Sequence, residues 1–192
     1  MATSAIRRRR WNRTEYERLV TAGVFSPGER LELIGGELLV REPQGSPHAT
    51  AIRLVEDALR LAFGAGWDVR SQLPVALDDE SEPEPDVSVV RGTPRNYRER
   101  HPSRPALIVE VADASLAFDR REKGSLYARA GVQDYWIVNL VKHLLEVRRQ
   151  PVARPSAPYG WHYRAVQMLG PSALVSPIAA RRARIRVADL IP

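Results

Sequence analysis

Apolar and polar positions follow two patterns along the chain, one with a helical period and one with short continuous apolar runs. Apolar residues recur every three to four positions over His48–Phe63 and Phe118–Ala130, so both segments are predicted to be helices. The segments Asp86–Val90, Ala106–Ala112 and Tyr135–Leu140 are short and largely apolar. Runs of this kind are typical of strands that are covered on both faces of a sheet.

Further elements are indicated on either side of this central region. The stretch LELIGGELLV (Leu31–Val40) predicts two short strands joined at a Gly-Gly turn. Trp67–Leu77 is predicted to be a strand, and His143–Arg149 and Trp161–Met168 are predicted to extend the sheet as antiparallel strands. A short helix is predicted over Thr14–Val24, capped by its first residue.

The order of these elements predicts the fold class. Strand, helix and strand over residues 106–140 form a βαβ unit, which requires a parallel pair of strands. Antiparallel strands follow it, so we predict an α/β (α+β) fold with a mixed sheet flanked by helices. Residues 1–10 are predicted to be a disordered basic arm, and residues 11–192 a single domain, because no repeat or linker interrupts them.

Composition narrows the chemistry that such a domain can perform. The chain has no cysteine, so any metal must be bound by Asp, Glu, His or carbonyl groups, and a cytoplasmic location is the default expectation. No apolar run is long enough to span a membrane. The net charge is +6, but only Lys123 and Lys142 among 29 basic residues are lysine. Arginine is thus the basic residue used almost everywhere in this chain. Its clusters therefore favour a polyanionic partner only modestly.

Two acidic residues interrupt the apolar strands. Glu110 lies near the middle of ALIVEVA, and Asp86 follows a proline at the start of its own strand. A carboxylate in a buried strand is costly unless something pairs with it. A glutamate that reaches solvent or an arginine would explain the pattern without any activity. Alternatively, because neighbouring strands lie about 5 Å apart, Asp86 and Glu110 could bind one Mg²⁺ or Mn²⁺ ion.

Three further residues are candidates for the same site. Lys123 shares the apolar side of its helix with Asp119, so the two form either an ordinary ion pair or part of the site. Lysine is rare in this chain, and its use at an inward position favours a place in the site. His48 begins the apolar side of its helix, where a hydrogen-bonded core histidine is the commoner case. Glu37 follows the Gly-Gly turn, and a solvated hairpin acid accounts for it equally well.

The order of these motifs resembles a known family. ELIGGEL is followed by SPH at a helix start, and then by EPDVSVV, LIVEVADAS and FDRREKGSLYARAGVQDYWIV. This series closely resembles the Uma-two family of restriction-endonuclease-like proteins, which belongs to the PD-(D/E)xK nuclease superfamily. The resemblance covers residues 14–150 and is strongest over 84–138. The ordered set is specific, whereas any one motif alone is weak.

The resemblance implies a restriction-endonuclease-like core, in which a mixed sheet flanked by helices carries the acids at one end. Asp86 matches the aspartate of the PD element, and Glu110 matches the acid of the (D/E)xK element. Ala112 stands where the superfamily usually has lysine, and Lys123 matches the lysine that replaces it in this family. The implied cofactor is Mg²⁺ or Mn²⁺, bound by the two acids and the carbonyl of Val111.

The implied activity is hydrolysis of phosphodiester bonds in nucleic acid, most simply DNA, by an Mg-dependent endonuclease. Lys123 would orient the attacking water or stabilise charge on phosphorus, and Asp119 would orient Lys123. His48 would position a water or a phosphate. His48 and Glu37 match positions that recur in the family's N-terminal motifs. The expected partner is nucleic acid rather than a membrane, and a homodimer is compatible with the sequence.

Two other classes of protein fit the same residues. One is a non-catalytic nucleic-acid-binding or regulatory domain on a degenerate nuclease core. The other is a structural domain whose acids are paired with the abundant arginines. Metal binding separates these hypotheses from the enzyme.

Overall fold

A computed structural model of the protein describes residues 9–192. The predicted basic arm over residues 1–10 falls mostly outside this range. Of its last two residues, Arg9 forms an ion pair with Glu15 and Arg10 donates a hydrogen bond to the carbonyl of Gly35. None of the helices in the described residues is long and apolar enough to cross a membrane.

Ten strands and four α-helical segments make up the regular structure of the described chain. The strands are β1 (Leu31–Ile34), β2 (Glu37–Val40), β3 (Trp67–Ser71), β4 (Val87–Arg91), β5 (Leu107–Ala112), β6 (Asp134–Asn139), β7 (Leu144–Ala153), β8 (Trp161–Leu169), β9 (Leu174–Val175) and β10 (Ile185–Arg186). The α-helical segments are α1 (Arg13–Thr21), α2 (Ser46–Phe63), α3 (Leu116–Phe118) and α4 (Gly124–Arg129). A π-helical turn, Asp119–Lys123, joins the last two, and 3₁₀ turns lie at Pro94–Tyr97, Ile178–Ala180 and Val187–Leu190.

Six of these strands form one mixed sheet in the order β3-β4-β5-β6-β7-β8. Only the β5–β6 pair is parallel, as the predicted βαβ unit requires, and the other neighbours are antiparallel. One face of the sheet packs against α2 through Val55 and Leu59, and the other packs against α4 through Tyr127. The predicted mixed sheet flanked by helices is therefore confirmed.

The sheet alternates its side chains between two cores. In β5, Leu107 and Val109 face the α2 side, whereas Ile108 faces the α4 side, and all three are fully buried. The strand is apolar throughout because both faces are covered. Glu110 continues this alternation toward the α4 side, so its carboxylate lies beneath a helix rather than in solvent.

Several predicted boundaries were wrong. Strand β3 ends at Ser71 rather than Leu77 because Gln72 adopts a left-handed backbone with φ of 53°. The cap of α1 is Asn12, which accepts a hydrogen bond from the Glu15 amide, rather than Thr14. The predicted helix over Phe118–Ala130 begins earlier and contains the π-helical turn.

A separate hairpin of β1 and β2 covers one end of the sheet. Two backbone hydrogen bonds, one in each direction between Leu33 and Glu82, attach the hairpin to the segment before β4. Its turn uses Gly35 and Gly36, both with positive φ as the Gly-Gly signal predicts. A side chain at Gly35 would bring its Cβ atom 2.6 Å from the ring of Tyr159, so the turn is also a close contact.

The hairpin turn yields a first prediction. Gly35→Ala should lower the free energy of unfolding by about 1–2 kcal/mol for the left-handed backbone and by about 1–3 kcal/mol more for overpacking against Tyr159. Gly23→Ala is the matched control, because Gly23 has φ of +64° but no atom within 4 Å of its added Cβ. Urea unfolding of both variants measures the difference, and equal losses would show that the Tyr159 contact is unimportant.

Candidate active site

The two acids of the strands meet where β4 begins and β5 nears its end. Val87 is paired with Val109, so continuing the antiparallel register by one residue places Asp86 opposite Glu110. The backbone amide of Asp86 donates to Oε2 of Glu110 at 3.3 Å, and the amide of Val111 donates to Oδ2 of Asp86 at 2.9 Å. Both acids are 2% exposed. The predicted approach of these two residues is present in the structure.

Lys123 of the π-helical turn completes this group. Its Nζ atom lies 3.1 Å from Oε1 of Glu110 and 3.2 Å from Oε1 of Glu32 in β1. The hydroxyl of Tyr127 donates to the same Glu110 oxygen at 2.6 Å. The buried glutamate therefore pairs with a buried lysine and a tyrosine, and neither with solvent nor with an arginine.

The π-helical turn sets the direction of Lys123. The amide of Gly124 donates to the carbonyl of Asp119, five residues earlier, and the hydroxyl of Tyr135 donates to the same oxygen at 3.0 Å. A Cβ atom at position 124 would lie only 3.3 Å from that carbonyl, which favours glycine there. Such turns are frequent at functional sites. Asp119 and Lys123 are both buried and both line the cleft.

Asp119 does not form the ion pair that its spacing from Lys123 suggests. Among the described residues, the ion pairs of Lys123 within 4.0 Å are those with Glu110 and Glu32. The carboxylate of Asp119 instead accepts a hydrogen bond from Ser115 at 2.6 Å. Asp119 therefore acts on Lys123 through longer-range electrostatic attraction and not through a direct ion pair.

Two basic side chains flank the Asp86 carboxylate. Arg41, which directly follows β2, places its Nη2 atom 2.7 Å from Oδ1. His48, in the first turn of α2, places Nε2 at 3.2 Å from Oδ2. The His48 nitrogen is buried and is not aligned for a hydrogen bond, so this contact is electrostatic. Asp86 is thus held between two basic side chains from different elements.

These side chains line one cavity of about 600 Å³. That volume is within the range of small-molecule and substrate pockets in proteins. Its walls carry six acids and three basic residues, namely Glu32, Glu42, Asp86, Glu110, Asp113 and Asp119 with Arg41, His48 and Lys123. The cavity is therefore a strongly charged cleft at one end of the sheet.

The environment of Asp86 keeps it ionised. Burial alone would raise its pKa, but the nearby His48 and Arg41 outweigh burial and hold the pKa below its usual range. Burial also lowers the pKa of His48, and the adjacent Asp86 carboxylate reverses this, so the net pKa is raised. Asp86 is consequently an anion at every pH at which the protein is expected to work.

The pKa of Glu110 is shifted in the opposite direction. Burial raises its pKa to about 8, since the acids Asp86, Asp119 and Glu32 add to burial and Lys123 only partly opposes them. Burial likewise raises the pKa of Asp119 to about 6, against Lys123 and the Ser115 hydrogen bond. The cleft thus contains one fixed anion beside acids that take up a proton near neutral pH.

The structure also places the remaining predicted residue and adds others. Glu37 is exposed at the turn end of β2 and does not line the cavity. It lies four residues before Arg41, about 13 Å along an extended strand. Glu32 of the same hairpin occupies the cleft instead. Glu32 gave the same sequence signal as Glu110, an acid within an apolar run, whereas Arg41 gave none because arginine is abundant.

The donor set suits a hard divalent cation. Asp86 and Glu110 offer carboxylate oxygens, and the Val111 carbonyl shares the side of β5 from which its amide contacts Asp86. Within residues 9–192, no group of three or more His, Asp or Glu side chains is arranged to hold a metal by itself. Mg²⁺ commonly takes one or two carboxylates and completes its shell with waters and phosphate oxygens, so the residues fit such an ion.

Comparisons with known proteins identify a family and a fold. The model of the family Uma2, described as "Putative restriction endonuclease", matches residues 13–180. A solved structure described as a putative nuclease belonging to DUF820 from Anabaena variabilis ATCC 29413 has a TM-score of 0.68 and 15% sequence identity. Its similarity covers 92% of this chain and 95% of that one. No curated protein matches the sequence. The structural likeness establishes the fold alone.

The raised pKa of Glu110 predicts a pH-dependent stability. Its ordinary value is 4.5 and its folded value is about 8, so the folded state binds the proton more tightly. The resulting stabilisation is complete below pH 4.5 and is lost as the pH rises toward 8. We expect the melting temperature of the metal-free protein to fall over this interval, and to fall less in Glu110→Gln.

Glu99→Gln is the matched control for this prediction, since Glu99 is an exposed glutamate in a loop. Thermal denaturation of the three proteins at several pH values in the presence of chelator provides the measurement. If Glu110→Gln follows the same pH profile as the unmodified protein, Glu110 does not carry the raised pKa.

Proposed function

Because the chain belongs to the Uma2 family, we propose that it is a metal-dependent endonuclease that hydrolyses phosphodiester bonds of nucleic acid, most simply DNA. The observation that carries the proposal is the convergence of Asp86, Glu110 and Lys123 on one cavity, with Lys123 3.1 Å from Glu110. Two acids and a lysine are the set that the sequence motifs predict.

The residues of the cleft divide into metal-binding and positioning groups. Asp86, Glu110 and the carbonyl of Val111 would bind Mg²⁺ or Mn²⁺, and the bound ion would polarise the phosphate and lower the pKa of an attacking water. Asp86 contributes because its neighbours keep it ionised. The ammonium of Lys123 is held protonated by the acids around it and would stabilise charge that develops on phosphorus.

His48 is placed to assist at the other side of Asp86. It lies in the first turn of the 18-residue helix α2, and the preceding Gly45 also lines the cavity. A helix N-terminus favours an anion, and the raised pKa of His48 favours the imidazolium. This side chain would therefore position a phosphate group within reach of the acids.

A second cavity supports a polyanionic partner. It measures about 730 Å³ and is lined by Arg120, Arg121, Arg148, Arg154 and the partly exposed Trp161. Two acids offset part of this charge, since Arg120 and Arg148 both contact Glu146 and Arg121 contacts Glu122. Arginine beside an aromatic ring suits the backbone and bases of a nucleic acid. Arg120 and Arg121 belong to the same π-helical turn as Lys123, so this groove lies next to the cleft in the chain.

One observation favours the non-catalytic alternative. Arg41 is paired with Asp86, which is the kind of contact expected of a structural domain whose acids are neutralised by arginine. Glu110, however, is paired with Lys123, one of only two lysines in the chain, and not with any of the 27 arginines. The enzyme is therefore the better supported proposal, and activity measurements decide between the two.

Lys123→Met should reduce cleavage of plasmid DNA in Mg²⁺ or Mn²⁺ by about 100-fold or more, the scale of losing one electrostatic group in an active site. Lys123→Arg should also be impaired, because a planar guanidinium is larger and directed differently. The matched control is Lys142→Met, which removes the chain's other lysine from an exposed turn. Chelator should stop the reaction. Cleavage by Lys123→Met at the original rate would remove Lys123 from catalysis.

Binding of nucleic acid tests the arginine-lined cavity separately. Arg154→Gln should weaken binding of a fluorescent oligonucleotide and reduce the slope of log affinity against log salt by about 1, as expected for one lost phosphate contact. Arg98→Gln is the control, because Arg98 is exposed outside this cavity. Fluorescence anisotropy at several salt concentrations gives both slopes, and identical slopes would exclude Arg154 from the interface.

A further inference from the structure

Arg41 contacts the Asp86 carboxylate inside the cleft. Its Nη2 atom is 2.7 Å from Oδ1 of Asp86, and its Nη1 atom donates to the carbonyl of Glu84 at 2.5 Å. The Arg41 side chain is 13% exposed and lines the same cavity as Glu110 and Lys123. The guanidinium is therefore part of the cleft and not a surface group that happens to approach it.

The other oxygen of Asp86 is already engaged. Oδ2 accepts the Val111 amide at 2.9 Å and faces His48 at 3.2 Å. Oδ1 has Arg41 as its hydrogen-bond partner among the described residues. A metal ion that approaches Asp86 from the cavity must therefore share Oδ1 with Arg41 or displace it, and two cations on one carboxylate oxygen repel each other.

We propose that Arg41 is a built-in counter-cation of Asp86 that competes with the divalent metal ion, and that the phosphate of a bound nucleic acid releases Asp86 by attracting Arg41. The proposal rests on the proposed function, because it concerns the order in which metal and substrate occupy the same cleft. In this proposal the Arg41–Asp86 contact, which would otherwise favour a structural domain, couples the binding of metal to the binding of nucleic acid.

The chemistry of arginine suits this exchange. A guanidinium binds phosphate through two parallel hydrogen bonds, as it binds a carboxylate. Arg41 directly follows β2, and the exposed residues Glu42 and Pro43 come next, so its side chain lies at the mouth of the hairpin. A short rotation of the Arg41 side chain within the cavity would exchange the Asp86 carboxylate for a phosphate. The guanidinium would keep an anionic partner throughout.

Thermodynamic linkage makes the coupling reciprocal. If nucleic acid removes Arg41 from Asp86, it raises the affinity for metal, and metal raises the affinity for nucleic acid by the same factor. Without nucleic acid, the metal-free state is stabilised by the Arg41–Asp86 pair. The cleft would then bind its metal tightly only in the presence of a substrate.

Calorimetric titration with Mn²⁺ tests the proposal without measuring cleavage. Arg41→Met should bind Mn²⁺ about 10-fold or more tightly than the unmodified protein, an ordinary size for coupling between two sites. A short phosphorothioate duplex should raise the Mn²⁺ affinity of the unmodified protein by a larger factor than that of Arg41→Met, in which only the direct phosphate ligation remains. Titration of the duplex alone corrects for its own Mn²⁺ binding.

Arg30→Met is the matched control. Arg30 also contacts Glu84, at 3.0 Å, and its replacement removes the same charge, but it does not contact Asp86 and does not line the cavity. Its Mn²⁺ affinity should equal that of the unmodified protein. Arg41→Lys keeps the charge and serves if Arg41→Met does not fold, and its single ammonium should give an intermediate affinity.

The outcomes separate this inference from the proposed function. Equal Mn²⁺ affinities in the unmodified protein, Arg41→Met and Arg41→Lys would overturn the role of Arg41 and leave a metal-dependent nuclease intact. Equal gains in Arg41→Met and Arg30→Met would reduce the effect to general charge and would also overturn it. Failure of all variants to bind Mn²⁺, with or without the duplex, would overturn both proposals.

Discussion

The arrangement of the cleft depends on one buried ammonium group. Lys123 is 4% exposed, and its charge is stabilised by Glu110 of the central sheet and Glu32 of the separate hairpin. An unpaired ammonium at this depth is costly, so Lys123 depends on the acids that the two elements supply. The lysine therefore fastens the hairpin to the sheet at the place where the chemistry is proposed, and the shape of the cleft becomes a condition for stable folding.

The two strand acids play different electrostatic parts although they face each other. Asp86 has basic side chains from the hairpin and from α2 beside it, which keep it negatively charged. Glu110 is buried among other acids, which raise its pKa to about 8 although Lys123 opposes the shift. Opposite displacement of neighbouring carboxyl groups is a general way of giving them distinct roles. Here the difference follows from which elements contact each acid, and not from the acids themselves.

The sequence predicted the elements whose evidence is local and missed those that depend on distant contacts. Strands β4, β5 and β6 were predictable because a short continuous apolar run is typical of a strand buried on both faces, and an acid within such a run identified Asp86 and Glu110. Glu32 carried the same signal, but the family motif favoured Glu37. The π-helical turn was not predictable, because it depends on a hydroxyl from β6 that meets the turn only in the folded chain. Arg41 was missed because arginine is abundant in this chain, so one arginine in the site cannot be distinguished from those on the surface.

The π-helical turn has a consequence for how the chain can vary in length. It holds one residue more than an α-helical turn, and the cleft side of the helix depends on that extra residue. Deleting one residue between Asp119 and Lys123 would restore regular helical bonding and remove the extra residue that the widened turn accommodates. The carbonyl of Asp119 would then lose the widened geometry in which it accepts both the Gly124 amide and the Tyr135 hydroxyl. Insertions and deletions among related chains should therefore accumulate in connections such as the loop before β5, while this helix keeps its residue count.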